Sequence, residues 1–219
     1  MPFVNCRFND LSQDFTLFKN LIFKGNEFTT NGVITILEKY PNVTSLVLVE
    51  RNDINVILSC ICTYNTNLET LVIKRCLGST SMSEVSEEVV FLIQNCLRKL
   101  SVLTIKDTEF CYREFFQHVR YSLPCLKKFN LKSKCWSYGI VHSLQFNDNI
   151  SNLENFGFQY LSLSKQTFSS LINKFRDSLT VIKINAFNLT DENMQEISEC
   201  HNLKTLRLNF AEFVTDEGL

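Results

Sequence analysis

One apolar pattern returns along this chain at a nearly constant interval, and it limits the fold more than any other feature. The pattern is an apolar residue, two variable ones, an apolar one, one variable and a last apolar one. It runs through Phe18-Leu21-Phe23, Val43-Leu46-Leu48, Leu68-Leu71-Ile73 and Leu100-Leu103-Ile105. It continues through Leu126-Phe129-Leu131, Leu153-Phe156-Phe158, Leu179-Ile182-Ile184 and Leu203-Leu206-Leu208. Successive spacings are 25, 25, 32, 26, 27, 26 and 24 residues, a mean near 26. Hydrophobic residues make up 45% of the chain, so one match carries no information, whereas eight in phase do. A period of this length marks an array of units, each of which buries its apolar face only against its neighbours.

Within each unit the last positions alternate apolar and variable, which predicts a short strand with one buried face. The segments between are spaced as helices. Phe168, Leu171, Ile172 and Phe175 form one apolar stripe; Met194, Ile197 and Cys200 form another, and Ile34, Leu37 and Tyr40 a third. Ser81 and Glu84 read as a capping box before a helix from Val85 to Leu97. Thr190-Asp191 and Thr215-Asp216 read as helix starts, each a cap followed by an early acid. Stacked units place the strands in a parallel sheet on a concave side and the helices on a convex side. The expected class is therefore α/β, a curved solenoid of about eight repeats. The six extra residues of the 32-residue interval are assigned to a loop at Gly78–Ser83.

The remaining composition excludes several functional classes. Only 6 Gly and 3 Pro are present, so one continuous unit is expected over 18–219, with 1–17 as a cap or partial repeat. The last repeat reads as truncated, and the chain as a fragment cut within a repeat at both ends. Net charge is -1, which gives no reason to expect a nucleic-acid or membrane partner. No stretch approaches the 18 apolar residues of a membrane span, and no signal peptide is visible. The 9 Cys are odd in number and scattered, several on apolar repeat positions, as expected of reduced thiols in a cytoplasmic or nuclear protein. The Asn-x-Ser/Thr triplets at Asn42, Asn149 and Asn188 are then chance.

Near the C-terminus the pattern sharpens. Glu199-Cys200-His201-Asn202-Leu203 leads into Leu206-x-Leu208 and then Phe213-Val214-Thr215-Asp216-Glu217-Gly218-Leu219. Asn188-Leu189-Thr190-Asp191-Glu192-Asn193 is a second matching helix start. These residues resemble the cysteine-containing leucine-rich repeat of about 26 residues that is typical of F-box/leucine-rich-repeat proteins. Cys76 and Asn26 fall where that family places Cys or Asn to bond the turn backbone; the same position elsewhere holds Arg51, Thr108, Lys134, Leu161, Phe187 and Ala211. The resemblance implies a leucine-rich-repeat horseshoe acting as the substrate-recognition part of a cullin-RING (SCF-type) ubiquitin ligase. In that family an F-box holds a Skp1-type adaptor. An F-box usually opens with Leu-Pro, and the single Leu-Pro here, Leu123-Pro124, is in phase with the fifth repeat. The adaptor is thus expected only if an F-box lies outside this chain. A stand-alone repeat scaffold or inhibitor is the alternative.

The outward strand positions lie one before, one after and three after the middle apolar residue. Of the 24 such positions seven are Lys or Arg and none is Asp or Glu, although the whole chain holds 22 bases and 23 acids. Lys74, Lys106, Lys128, Lys132, Lys183 and Arg207 form the candidate binding face, with Val47 and Val72 as apolar contacts toward its N-terminal end. A surface of one charge sign favours an acidic or phosphorylated protein segment. Acid swaps such as Lys128→Glu with Lys132→Glu are expected to weaken its capture.

No catalytic, cofactor or metal site is expected. Cys60-x-Cys62 lacks the second pair of a zinc site. Cys200 and His201 point to different sides of a helix, and His118, His142 and His201 lie in different repeats. Phe115-Phe116 and Phe156-x-Phe158 read as core, and Trp136, the single Trp, as buried or at a rim. The six Gly form no phosphate loop.

Overall fold

The computed structural model describes residues 18–77, 93, 95–108, 123–132, 140–141, 150–160 and 162–218. The segment 1–17, the loop at Gly78–Ser83 and the capping box at Ser81 and Glu84 lie outside the described residues. So do Phe115, Phe116, His118, Trp136, His142, Cys6, Cys111 and Cys135.

All eight repeats of the apolar pattern coincide with strands. These are β1 (Asn20–Lys24), β2 (Ser45–Val49), β3 (Thr70–Lys74), β4 (Val102–Lys106), β5 (Lys128–Lys132), β7 (Asn155–Gln159), β9 (Val181–Asn185) and β10 (Thr205–Asn209). They form one open sheet in which every pair is parallel and strand order follows chain order. Two further strands, β6 (Ile140–Val141) and β8 (Ser162–Leu163), pair in a separate two-stranded sheet that the periodicity does not foretell. Four helices are described: α1 (Thr30–Lys39), α2 (Ile54–Tyr64), α3 (Lys165–Phe175) and α4 (Asp191–Ser198). The order is compatible with a solenoid.

Two backbone devices repeat from strand to strand. The carbonyl just ahead of a strand accepts two N–H groups from the next strand's start. Lys19 O takes Thr44 and Ser45, Thr44 O takes Glu69 and Thr70, and Glu69 O takes Ser101 and Val102, all at 2.8–3.0 Å. The step recurs at Ser101, Lys127, Glu154 and Thr180. At the other end of the strand the residue that follows turns left-handed, with φ of 51° at Gly25, 55° at Glu50, 51° at Arg75, 50° at Asp107, 61° at Tyr160 and 58° at Phe210. That geometry aims the N–H of Gly25, Glu50, Arg75 and Asp107 at the last strand carbonyl of the next repeat. Five of these six residues carry a side chain in a conformation that usually favours Gly; for Glu50, Arg75 and Asp107 the cross-repeat hydrogen bond holds it there.

The core lies between the sheet and the helices. Leu46, Leu48, Leu71, Ile73, Leu103, Ile105, Phe129 and Leu131 from the strands share one buried cluster with helix residues Val33, Leu37, Ile57, Leu58, Ile61, Phe168, Leu171 and Ile172. The stripe of α3 is buried as its spacing predicts; in α4 Met194 and Ile197 are buried, while Cys200, also buried, lies past the helix end at Ser198. In α1 the buried residues are Val33 and Leu37, while Ile34 is half-buried, so the stripe starts one residue earlier than expected. Phe156 stacks on Phe158 at 5.4 Å and tilts against Phe129 at 6.3 Å, filling the space below β5 and β7. Of the helix expected from Val85 to Leu97, the described Ile93 and Leu97 are buried.

Helix starts follow local chemistry. Thr29 Oγ1 accepts from Gly32 N at 3.1 Å, Ser164 Oγ from Thr167 N at 3.2 Å, and Thr190 N donates to Asn193 Oδ1 at 3.2 Å. Thr215-Asp216 opens only a turn within the described residues, with Gly218 N bonded to Thr215 O at 3.0 Å. Thr215 instead donates to the Asp191 carboxylate, from its backbone at 2.8 Å and its hydroxyl at 2.7 Å, which holds that carboxyl below the usual range. Leu123-Pro124 sits in the turn before β5. Leu126 N bonds Leu123 O at 3.1 Å, as Leu100 bonds Leu97 and Leu68 bonds Asn65. On β10 the apolar positions are less covered than the pattern implies, and Leu206 is 40% exposed.

Candidate functional site

Strand register converts the outward residues into three rows across the sheet. The middle row runs Ile22, Val47, Val72, Thr104, Asn130, Gly157, Lys183 and Arg207, each beside the next. The row nearest the strand C-termini places Lys24, Val49, Lys74, Lys106, Lys132 and Gln159 side by side. The remaining row carries Val102 beside Lys128 and Lys128 beside Asn155. All eight residues expected on this face therefore point away from the core, and all are half or fully exposed. Gly157 leaves the room that Asn130 needs: a Cβ there would collide with Asn130 Oδ1.

The structure draws five lysines together. Adjacent parallel strands are about 4.8 Å apart, and Lys106 stands at the centre of the group. Partial burial pushes the Lys106 ammonium below its ordinary value, and the positive charges of Lys74, Lys132, Lys128 and Lys183 push it further. Lys132 differs from the others. Its ammonium lies 3.3 Å from the Asp107 carboxylate and 5.7 Å from the Tyr160 ring centre. Asp107 and Tyr160 are both left-handed turn residues, so the turn device supplies the acid and the ring that hold Lys132. Rows without acid thus have an acid at their rim, and among the described residues no ion pair is seen for Lys106 or for Lys74, Lys128 and Lys183 around it.

The turn position identified by Cys76 and Asn26 is a second organised feature. Cys76 is buried, its thiol bonding Lys74 O at 3.3 Å and Leu48 O at 3.6 Å. Thr108 uses the same place, its Oγ1 donating to Lys106 O at 3.0 Å and accepting from Cys76 N at 3.1 Å. Arg51 also uses it, which sequence reasoning missed. Its guanidinium is 3% exposed and donates to Gly25 O at 2.6 Å, Phe28 O at 2.7 Å and both oxygens of Asp53 at 3.0 and 2.5 Å. Thr30 Oγ1 completes the carboxylate's partners at 2.5 Å. Burial alone would raise the Asp53 carboxyl; the hydrogen bonds from Arg51 and Thr30 and the Arg51 charge overcome it and hold the group below its ordinary 3.8. Only the acid two residues after Arg51 could have signalled the pair.

The other candidates for chemistry sit in packing environments. Cys60 and Cys62 are buried on α2; burial and the neighbouring Cys96 push the Cys62 thiol up to about 12. Burial also raises Cys60, Cys76 and Cys200, so these thiols stay protonated at neutral pH. Cys200 is buried and His201 exposed, but both lie past the end of α4 at Ser198, in a turn and not on the helix the spacing suggested. Among the described residues no three His, Cys, Asp or Glu are grouped to hold a metal ion, and no helix is long and apolar enough to cross a membrane. Neither a protein-family model nor a curated protein matches this chain.

Proposed function

We propose that the chain is a leucine-rich-repeat horseshoe that binds another protein through the outward face of its sheet. In this reading it does no chemistry of its own and recognises substrates for an SCF-type (cullin-RING) ubiquitin ligase in the cytoplasm or nucleus. The observation that carries the binding claim is the group of five lysines around Lys106 on rows that hold no Asp or Glu. Like charges held one strand apart repel, and an anionic partner relieves that repulsion. An acidic or phosphorylated segment is therefore the expected partner.

Binding is tested with fluorescent glutamate-rich and phosphoserine peptides against the native chain and Lys106→Glu/Lys128→Glu. The double variant should bind at least tenfold more weakly with an unchanged circular dichroism spectrum. Equal affinity for both proteins would remove the claim. Ligase membership is a separate question. It predicts that the full-length gene product captures a purified Skp1-type adaptor, and absence of capture would leave the stand-alone scaffold or inhibitor.

A further inference from the structure

The sheet face is divided by chemistry as well as by charge. Ile22, Val47 and Val72 are in register on β1, β2 and β3 and form a continuous apolar strip on the outward side. Ile22 is 67% exposed, and Val47 and Val72 are half-buried. On one side of the strip lie Asn20, Ser45 and Thr70, and on the other Lys24, Val49 and Lys74. The strip stops at β4, where the middle row turns polar at Thr104 and Asn130. Beyond it the lysines around Lys106 begin. An apolar strip with a polar border on one side and, on the other, lysines flanking Val49 is asymmetric, and its charge names the complement. A purely acidic ligand would leave the strip wet, and a purely apolar one would leave the lysines unpaired.

Resting on the proposed binding of an acidic partner, we infer that the partner segment is bipartite: an apolar anchor residue seats on Ile22, Val47 and Val72 while acidic or phosphorylated residues beside it meet Lys74 and Lys106. The geometry sets the spacing. From Val72 to Lys106 is one strand across, about 4.8 Å, and two residues along, about 6.6 Å, a diagonal of about 8 Å. An extended segment advances about 3.3 Å per residue and the lysine side chain reaches further, so the anchor lies two to four residues from the first acid. Occupancy of such a strip removes apolar surface from water, which is where the affinity beyond charge pairing arises.

The test uses the full chain and two synthetic peptides in a Gly/Ser background. Both carry four consecutive glutamates; one has Leu and the other Gly three residues from the first glutamate. The Leu peptide should bind about tenfold more tightly. Val47→Thr/Val72→Thr, which keeps β-branched residues in both strands, should abolish that advantage and leave the Gly peptide's affinity unchanged. Should the double variant unfold, Val72→Ala alone should at least halve the advantage. Equal affinity of the two peptides, with binding still lost in Lys106→Glu, would overturn the bipartite partner and leave the acidic-partner reading standing. Failure of both peptides to bind in a Lys106-dependent way would overturn the acidic-partner reading, and this inference with it. If sedimentation shows the chain pairing with itself, and Val47→Thr/Val72→Thr abolishes the pairing, the strip belongs to a second copy and the inference is overturned.

Discussion

Arg51 occupies a turn position that its neighbours fill with Cys76 and Thr108, and it does the same work with a charge. A lone guanidinium would be costly to bury; Asp53 and two carbonyls satisfy it. Arg51→Met leaves the Asp53 carboxylate without its counter-ion, so a loss of about 3 kcal/mol in urea unfolding is expected. Because the Asp53 pKa is depressed, its contribution is complete above its unfolded-state pKa and is lost as pH falls through the lower folded value. Stability of the native chain should therefore drop below about pH 4, and the Asp53→Asn variant should show a shallower drop there. The left-handed turn gives a second prediction. Arg75→Val forces a β-branched residue into φ near 51° and should cost about 1–2 kcal/mol. Arg75→Gly should be close to neutral, because relief of the backbone offsets the entropy that Gly adds to the unfolded chain. Comparable melting temperatures for Val and Gly variants would contradict the strained turn.

Each strand carries opposite consequences on adjacent residues. On β2, Leu46 and Leu48 are fully buried while Val47 between them faces outward. Leu46→Ala or Leu48→Ala should cost about 2–5 kcal/mol, and Val47→Thr less than about 1 kcal/mol. A large loss at Val47 in thermal unfolding would mean that the strand face is misassigned. The strands were legible because a period-two pattern repeated eight times fixes both position and face. Helix faces were legible for α3 and α4, where each stripe has several large apolar residues. In α1 the apolar run Val33-Ile34-x-Ile36-Leu37 allows two faces, and packing on the sheet chose Val33. The left-handed turns were illegible because Glu, Arg, Asp, Tyr and Phe stand where turn chemistry would place Gly or Asn; the cross-repeat hydrogen bond that holds Glu50, Arg75 and Asp107 is non-local. The Arg51 network was hidden for the same reason, since Gly25, Phe28 and Thr30 belong to the preceding repeat.

At the scale of the whole molecule, the parallel sheet turns residues about 26 positions apart in sequence into neighbours about 4.8 Å apart in space. The sequence was enough to place the six basic residues and two valines on one face. It did not reveal that Lys132 is held by Asp107 and Tyr160, or that Lys106 is the focus of the remaining charge. An acidic peptide bound there should lose at least tenfold in affinity as salt is raised toward 1 M, where screening acts over about 3 Å. It should also weaken as pH rises through the lowered Lys106 pKa, below the ordinary lysine value of 10.5. The most direct measurement is an NMR titration of the native chain, with isotope-labelled lysine side chains, against a glutamate-rich peptide. The proposal requires the largest shifts at Lys74, Lys106, Lys128 and Lys183, with Lys39 and Lys174 on the helices unmoved. Shifts centred on Lys39 and Lys174, or spread evenly over all lysines, would contradict a binding face on the sheet.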